Sequence, residues 1–259
     1  MKIVSWNVNS LNVRLPHLEQ WLEGFAPDVV GLQETKLEDH KFPAARLAEL
    51  GWNVVFAGQK TYNGVALLAR GHAIDDVQVG IPGFADEQKR VIAATVGGVR
   101  VVNLYVVNGQ DVGTEKYAWK LRWLDAVRAW LADEVARHPR LVVLGDFNIA
   151  PDDRDVHDPL VWNNDHILTS GAERAALRAL LALGLHDSYR LHHADGGVFS
   201  WWDYRQAAFR RDMGLRIDLT LVSDALRDAA VESGIDREPR TWERPSDHAP
   251  AWLRLTTPS

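Results

Sequence analysis

The chain has 259 residues, of which 46% are hydrophobic and 25% charged, and a formal net charge of −6. That composition supports a substantial core and excludes a disordered or fibrous chain. With no cysteine, disulfide frameworks and thiolate metal sites are excluded, and a reducing, cytoplasmic setting is expected.

The chain opens on a strand over residues 3–8, without the cationic and apolar pattern of a signal peptide. A helix is predicted over 16–23, with Pro16 near its start and Gly24 behind it. Short apolar runs predict strands over 28–32, 53–57, 65–69, 91–96 and 101–107. Leu121, Leu124, Val127, Leu131 and Val135 recur at helical spacing and predict a helix over 120–137. Strands follow over 141–144, 217–222 and 249–255, with a third helix over 174–183 closed by Gly184. Residues 108–117 and 151–171 form long polar stretches, a common form for binding loops. No apolar run is long enough to span a membrane. Linkers, repeats and low-complexity segments are absent from the sequence, which favours one domain over residues 1–259. Nine strands with few helices fit two packed sheets with helices outside.

Chemistry-bearing residues recur where apolar strands end. Asn7 and Asn9 close the first, Glu34 follows the second, and Asp146 and Asn148 flank Phe147 after Leu141–Leu144. Asp218 alternates with apolar residues, and Asp247 and His248 stand between Pro245 and Pro250. Each feature alone fits a turn or a solvated strand end. Together they place carboxylates, amides and one tunable histidine on rigid element ends, as metal-assisted hydrolysis requires.

The motifs Trp6-Asn7-Val8-Asn9, Gln33-Glu34-Thr35-Lys36, Gly145-Asp146-Phe147-Asn148, Arg216-Ile217-Asp218 and Ser246-Asp247-His248 resemble the endonuclease/exonuclease/phosphatase superfamily, in its order. Ser200-Trp201-Trp202-Asp203-Tyr204-Arg205, Gly214-Leu215-Arg216-Ile217-Asp218 and Pro245-Ser246-Asp247-His248-Ala249-Pro250 are similar to the exonuclease III type of abasic-site endonuclease. The resemblance spans essentially the whole chain. It implies an α/β four-layer sandwich, with two packed, mainly antiparallel β-sheets flanked by α-helices. It implies Mg²⁺ as cofactor, with Mn²⁺ as a substitute. The expected metal shell is Glu34, Asn7, Asp247, Asp146 and Asn148. Asp146 is expected to activate water, Asn148 to position that carboxylate and the phosphate, and Asp218 to orient a protonated His248, with Tyr105 as the active-site tyrosine. Two departures stand out. The family often has Tyr-Phe-Pro-Gln-Gly where this chain has Tyr105-Val106-Val107-Asn108-Gly109, and Trp202 replaces a frequent Phe.

Arg205, Arg210, Arg211 and Arg216 lie among Trp201, Trp202, Tyr204 and Phe209, with Arg90, Lys89 and Lys60 as further cations. Arginine for phosphate and aromatics for sugar or base is a nucleic-acid combination. The resemblance makes Trp201 and Leu215 the walls of a pocket for a flipped abasic sugar, with Arg205, Arg90, Asn108 and Trp202 as further DNA contacts. The expected partner is double-stranded DNA containing abasic sites, bound by a monomer. The shared core motifs also fit a phosphatase, a sphingomyelinase or an inactive DNA-binding module.

Overall fold

The computed structural model describes residues 1–256. One sheet holds β1 (Lys2–Asn7), β2 (Val29–Gln33), β3 (Trp52–Ala57), β4 (Val65–Arg70), β13 (Ala230–Ile235) and β14 (Ala251–Leu255). A second holds β5 (Ile74–Val79), β6 (Val91–Val96), β7 (Val99–Tyr105), β8 (Leu141–Asp146), β9 (Leu185–Asp187) and β12 (Asp218–Ser223). The orders are β13-β14-β1-β2-β4-β3 and β5-β6-β7-β8-β12-β9. In each sheet one central pair is parallel, β1 with β2 and β7 with β8, and the remaining pairs are antiparallel. A two-stranded ribbon, β10 (Trp201–Trp202) and β11 (Gly214–Leu215), lies beside them.

The layers follow from which faces are apolar. Ile3, Val29 and Leu67 of the first sheet pack against Ile92, Val101, Val142, Leu144 and Val222 of the second, sealing the central layer. The sheets approach closely at Gly31, where a Cβ would lie 2.3 Å from Leu144 Cδ1, so a larger residue would have to displace that side chain. Helices α1 (Leu11–Phe25) and α2 (Ala44–Glu49) cover the outer face of the first sheet through Leu18, Trp21, Leu22 and Leu47. Helices α3 (Glu115–Arg137) and α4 (Gly171–Leu181) cover the second through Trp123, Leu124, Val127 and Leu177. A short α5 (Ser188–His192) packs against β13. The four-layer α/β sandwich is thus the observed architecture. Among the described residues no helix is long and apolar enough to cross a membrane.

Several boundaries differ from expectation. Helix α1 starts five residues early and keeps Pro16 inside it, because Leu11 and Leu18 are buried on one face. Helix α3 starts at Glu115, since Thr114 Oγ1 accepts the Tyr117 N–H at 3.2 Å; the loop after β7 is shorter accordingly. Helix α4 starts at Gly171 behind a capping box of Ser170 and Glu173. Strand β8 continues through Gly145 and Asp146. At Gly145 φ is +153° and a Cβ would meet Leu104 O at 1.9 Å, so its glycine admits the neighbouring strand, not substrate.

Candidate active site

Strand register assembles the site. In the second sheet Tyr105 pairs with Asp146 across β7 and β8, and Asp146 with Asp218 across β8 and β12. Directly paired residues share a face, and this face looks toward the first sheet. There, Asn7 ends β1 and Gln33 ends β2 at the same level, with Glu34 following. Asn7 Nδ2 donates to Asp146 Oδ2 at 2.9 Å and ties the sheets together at this row.

The turns leaving the strands are strained. Asn9, Glu34, Lys36 and Asn148 adopt φ of 42°, 53°, 54° and 47°, a region that costs a non-glycine residue about 1–3 kcal/mol and clusters at working sites. Surrounding bonds hold them. Lys36 Nζ donates to Asn9 Oδ1 at 2.6 Å, and the Asn148 N–H to Asp146 Oδ1 at 3.0 Å.

Asp218 and His248 form a buried dyad. His248 Nδ1–H donates to Asp218 Oδ2 at 2.8 Å, and Ser200 Oγ donates to the same oxygen at 2.7 Å. His248 Nε2 lies 3.6 Å from Asp146 Oδ2. Burial opposes a charged ring, but the carboxylates of Asp218, Asp146 and Asp247 outweigh it and raise the His248 pKa to about 10. Burial raises Asp146 to about 7, with Asp218 and Glu34 adding repulsion and His248 and Asn7 opposing. Tyr105 OH donates to Glu34 Oε1 at 2.8 Å. Burial, then Glu34 and Asp146, push this phenol well above its ordinary value, so it remains a donor.

Asp146, Asp218 and His248 offer ligand atoms within 4.8 Å of one another. His248 Nδ1 is committed to Asp218, so a cation fits better on the other side of Asp146, toward Glu34. Carboxylate and amide oxygens of Glu34, Asp146, Asn7 and Asp247 are the hard donors that a divalent ion such as Mg²⁺ takes. The mutual repulsion of Glu34, Asp146 and Asp218 is what such an ion offsets. Both Asp247 oxygens accept hydrogen bonds, from Asn9 Nδ2 and Trp201 Nε1, each at 3.0 Å.

Asn148 directs Nδ2 to Val106 O at 2.9 Å and receives Asn108 Nδ2 on Oδ1 at 3.3 Å. Strand alternation predicts Asn148 beside Asp146 on one face, but β8 has ended and the turn sends it toward the Asn108 loop. Arg90 stacks 4.7 Å above the Tyr105 ring and donates to Tyr105 O at 3.3 Å.

The expected DNA contacts divide. Arg205 and Asn108 are exposed, and Trp201 is half-buried. Trp202 is fully buried, its Nε1 bonded to Asp212 Oδ1 at 3.1 Å, and so supports the ribbon without reaching DNA. Leu215 is also fully buried, packed with Val156, Ile217 and Trp201; it backs Trp201 and does not line an open pocket. Arg216 is no surface cation. It is 0% exposed and bonds Asp155 Oδ1 and Asp187 Oδ2, each at 2.7 Å.

Other supporting residues escaped the sequence reading. Asn103 Nδ2 donates to Leu32 O and Ala66 O, each at 2.9 Å, and its Oδ1 receives Gln33 Nε2 at 2.8 Å, bracing β2 against β7. Buried Lys120 donates to Asn108 O at 3.1 Å, to Asn148 O at 2.7 Å and to Glu173. An amide inside an apolar strand and a lysine on the buried stripe of α3 were the available signals.

The profile of the endonuclease/exonuclease/phosphatase family matches residues 4–248. An exodeoxyribonuclease III of Haemophilus influenzae is 37% identical, across 98% of this chain and 100% of its own. The solved structure of the 3′ phosphatase NExo from Neisseria, bound to a product DNA hairpin, is similar with a TM-score of 0.97. It is 49% identical and covers 99% of this chain and 100% of that one. An AP endonuclease from Archaeoglobus fulgidus has a TM-score of 0.95 at 35% identity, covering 99% and 100%. With its strand-end site in the same frame, this chain belongs to the endonuclease/exonuclease/phosphatase family and, within it, to the exodeoxyribonuclease III group.

Proposed function

We propose that this phosphodiester hydrolase is a Mg²⁺-dependent DNA-repair nuclease. It incises duplex DNA 5′ to abasic sites, leaving a 3′-hydroxyl, and processes 3′ ends. The observation that carries this is the buried row Asn7–Asp146–His248–Asp218 beside a half-buried Trp201 and exposed Arg205 and Arg211.

Hydrolysis needs a base for water and stabilisation of charge on the phosphoryl oxygens. Asp146, with a pKa of about 7, is poised to accept the water's proton, and Asn7 and the Asn148 N–H orient its two oxygens. His248, protonated at neutral pH, places positive charge toward the phosphate. Asp218 and Ser200 fix its ring. Glu34, Asn7, Asp247 and Asp146 would hold the ion, which supplies Lewis-acid stabilisation when bound; Asn148, turned to Val106 O and Asn108, would not reach it, and Mn²⁺ would substitute. The protein is proposed to act as a cytoplasmic monomer folded as one domain.

A second emphasis, toward 3′-end processing, is favoured by the closed surface at Leu215 and by 49% identity to a 3′ phosphatase. Product analysis with the metal varied tests both, on matched duplexes carrying an abasic analogue, a 3′-phosphate or neither. Incision beside the abasic site is expected. No cleavage above an Asp146→Ala control refutes the nuclease assignment. Turnover of lipid or inositol phosphates in place of DNA points to the phosphatase or sphingomyelinase alternative, and retention of DNA without cutting to an inactive binding module.

A further inference from the structure

A lysine without exposed surface is uncommon, and one that stays in a core needs partners for its charge. Lys120, on the buried stripe of α3, is 0% exposed, and so is Glu173 in the first turn of α4. The two form an ion pair. The remaining Lys120 bonds leave the helices: Nζ donates to Asn148 O at 2.7 Å and to Asn108 O at 3.1 Å. Glu173 is filled as well. Its Oε1 also accepts the Leu168 N–H at 3.2 Å, and its Oε2 accepts the Ser170 N–H at 3.1 Å and Ser170 Oγ at 2.7 Å. The pair thus joins the loop after β7, the turn after β8 and the loop before α4.

What it holds bears on the reaction. Asn148 has φ 47°, a conformation that a residue with a side chain keeps where its surroundings impose it. Its carbonyl is taken by Lys120, and its N–H donates to Asp146 Oδ1 at 3.0 Å. Two residues on, the Ala150 N–H donates to Leu168 O at 2.8 Å, and Arg174 Nε donates to Ala150 O at 3.1 Å. The chain leaving β8 is therefore fastened at Asn148 and again at Ala150. Gly109 closes over the lysine stem, where a Cβ would lie 3.0 Å from Lys120 Cδ. A buried ion pair is often no more stabilising than an apolar pair of the same volume, so the use of this one lies in the direction of its bonds.

We propose that Lys120, with Glu173 as its counter-charge, is a positioning residue of the hydrolytic reaction. Buried, it touches no substrate. It fixes the Asn148 turn and, through the Asn148 N–H, the carboxylate of Asp146, and it sets the two flanking loops against that turn. The proposal rests on Asp146 acting as the base, as proposed above.

K120M alone would leave Glu173 charged and unpaired in the core. The test is therefore K120M/E173Q, which removes both charges and keeps a capping-box residue. The control is R100M/E134Q, which removes another buried ion pair of α3, Arg100 Nε to Glu134 Oε2 at 2.7 Å, at the opposite end of β7. Tm is measured for each protein, and kcat and KM with Mg²⁺ on a duplex carrying one abasic analogue. In K120M/E173Q kcat should fall about a hundredfold, the scale of a group misplaced by about 1 Å, with KM within about threefold of wild type. R100M/E134Q should keep the wild-type kcat even where its Tm is lower. A folded K120M/E173Q with wild-type kcat overturns the proposal, as does a loss confined to KM or an equal loss of kcat in the control. A wild-type protein that cuts no DNA above the Asp146→Ala control refutes the nuclease function instead.

Discussion

Asp218→Asn isolates the electrostatic part of the His248 assignment. The substitution keeps shape and a partner for Ser200 Oγ but removes the carboxylate bonded to His248 Nδ1 at 2.8 Å. With charge centres about 4 Å apart and an effective dielectric of about 20, that pair is worth about 4 kcal/mol. At about 1.4 kcal/mol per tenfold, this is about a thousandfold in the ring's proton affinity. The wild-type ring titrates at about 10, so its alkaline limb should fall to about pH 7 in the variant. The Asp146 limb, at about 7 in the wild type, should move to lower pH, because Asp218 raises it. From the His248 limb alone, kcat/KM on an abasic duplex relative to wild type should drop about tenfold further at pH 8 than at pH 6, and about a hundredfold further at pH 9, and the Asp146 shift widens both gaps. Loss of ring orientation adds a factor that does not vary with pH. The measurement is a kcat/KM profile from pH 5.5 to 10 under steady-state conditions. A variant-to-wild-type ratio that stays constant across that range refutes the claim that Asp218 keeps His248 charged.

The acid limb should follow the metal. Asp146 must be ionised to act and titrates at about 7 without an ion, so raising Mg²⁺ from limiting to saturating should shift the acid limb to lower pH; a limb independent of Mg²⁺ contradicts ion binding at Asp146. Tyr105→Phe removes the 2.8 Å bond to Glu34 and should raise the Mg²⁺ concentration for half-maximal rate about 10–100-fold; an unchanged metal dependence at saturating DNA rules that support out. Arg216→Met strips Asp187 of its ion-pair partner and leaves buried Asp155 with Arg190 alone, and should cost about 3–5 kcal/mol, on the order of 10 °C in Tm for a chain this size. Weakened DNA binding at an unchanged Tm would restore the surface role for Arg216.

Strands whose neighbours lie on both sides were visible in the sequence, because burial on both faces writes a continuous apolar run. Val65–Arg70 and Leu141–Asp146 are buried almost throughout. Strand β5, with sequence IDDVQV and mostly exposed, lies at a sheet edge, and β13 reads AVESGI with two exposed residues. Neither carries a run or a clean alternation, so only the pairing partner reveals them. The same physics explains α1: a rule that puts proline at a helix start cannot foresee that Leu11 is buried and extends the helix upstream of Pro16.

The site divides along the same line. Asp146 and His248 stood out because each sits where a run breaks, and Asp218 because it alternates with apolar residues; the register sets Asp218 beside Asp146, and His248 bonds Asp218. Arg216 was misplaced because alternation with Asp218 suggests one shared polar face, whereas its partners Asp155 and Asp187 lie 61 and 29 residues away. Four local arginines therefore became three at the surface, Arg205, Arg210 and Arg211. The net charge of −6 loses its force for a related reason. Asp155 and Asp187 are neutralised inside by Arg216 and Arg190, and Glu34 and Asp218 repel Asp146 at the strand ends. A polyanionic substrate meets the exposed arginines and, at that end of the sheets, carboxylates whose charge a bound cation would offset locally. On this account DNA affinity should depend on the divalent ion more steeply than on any single surface arginine.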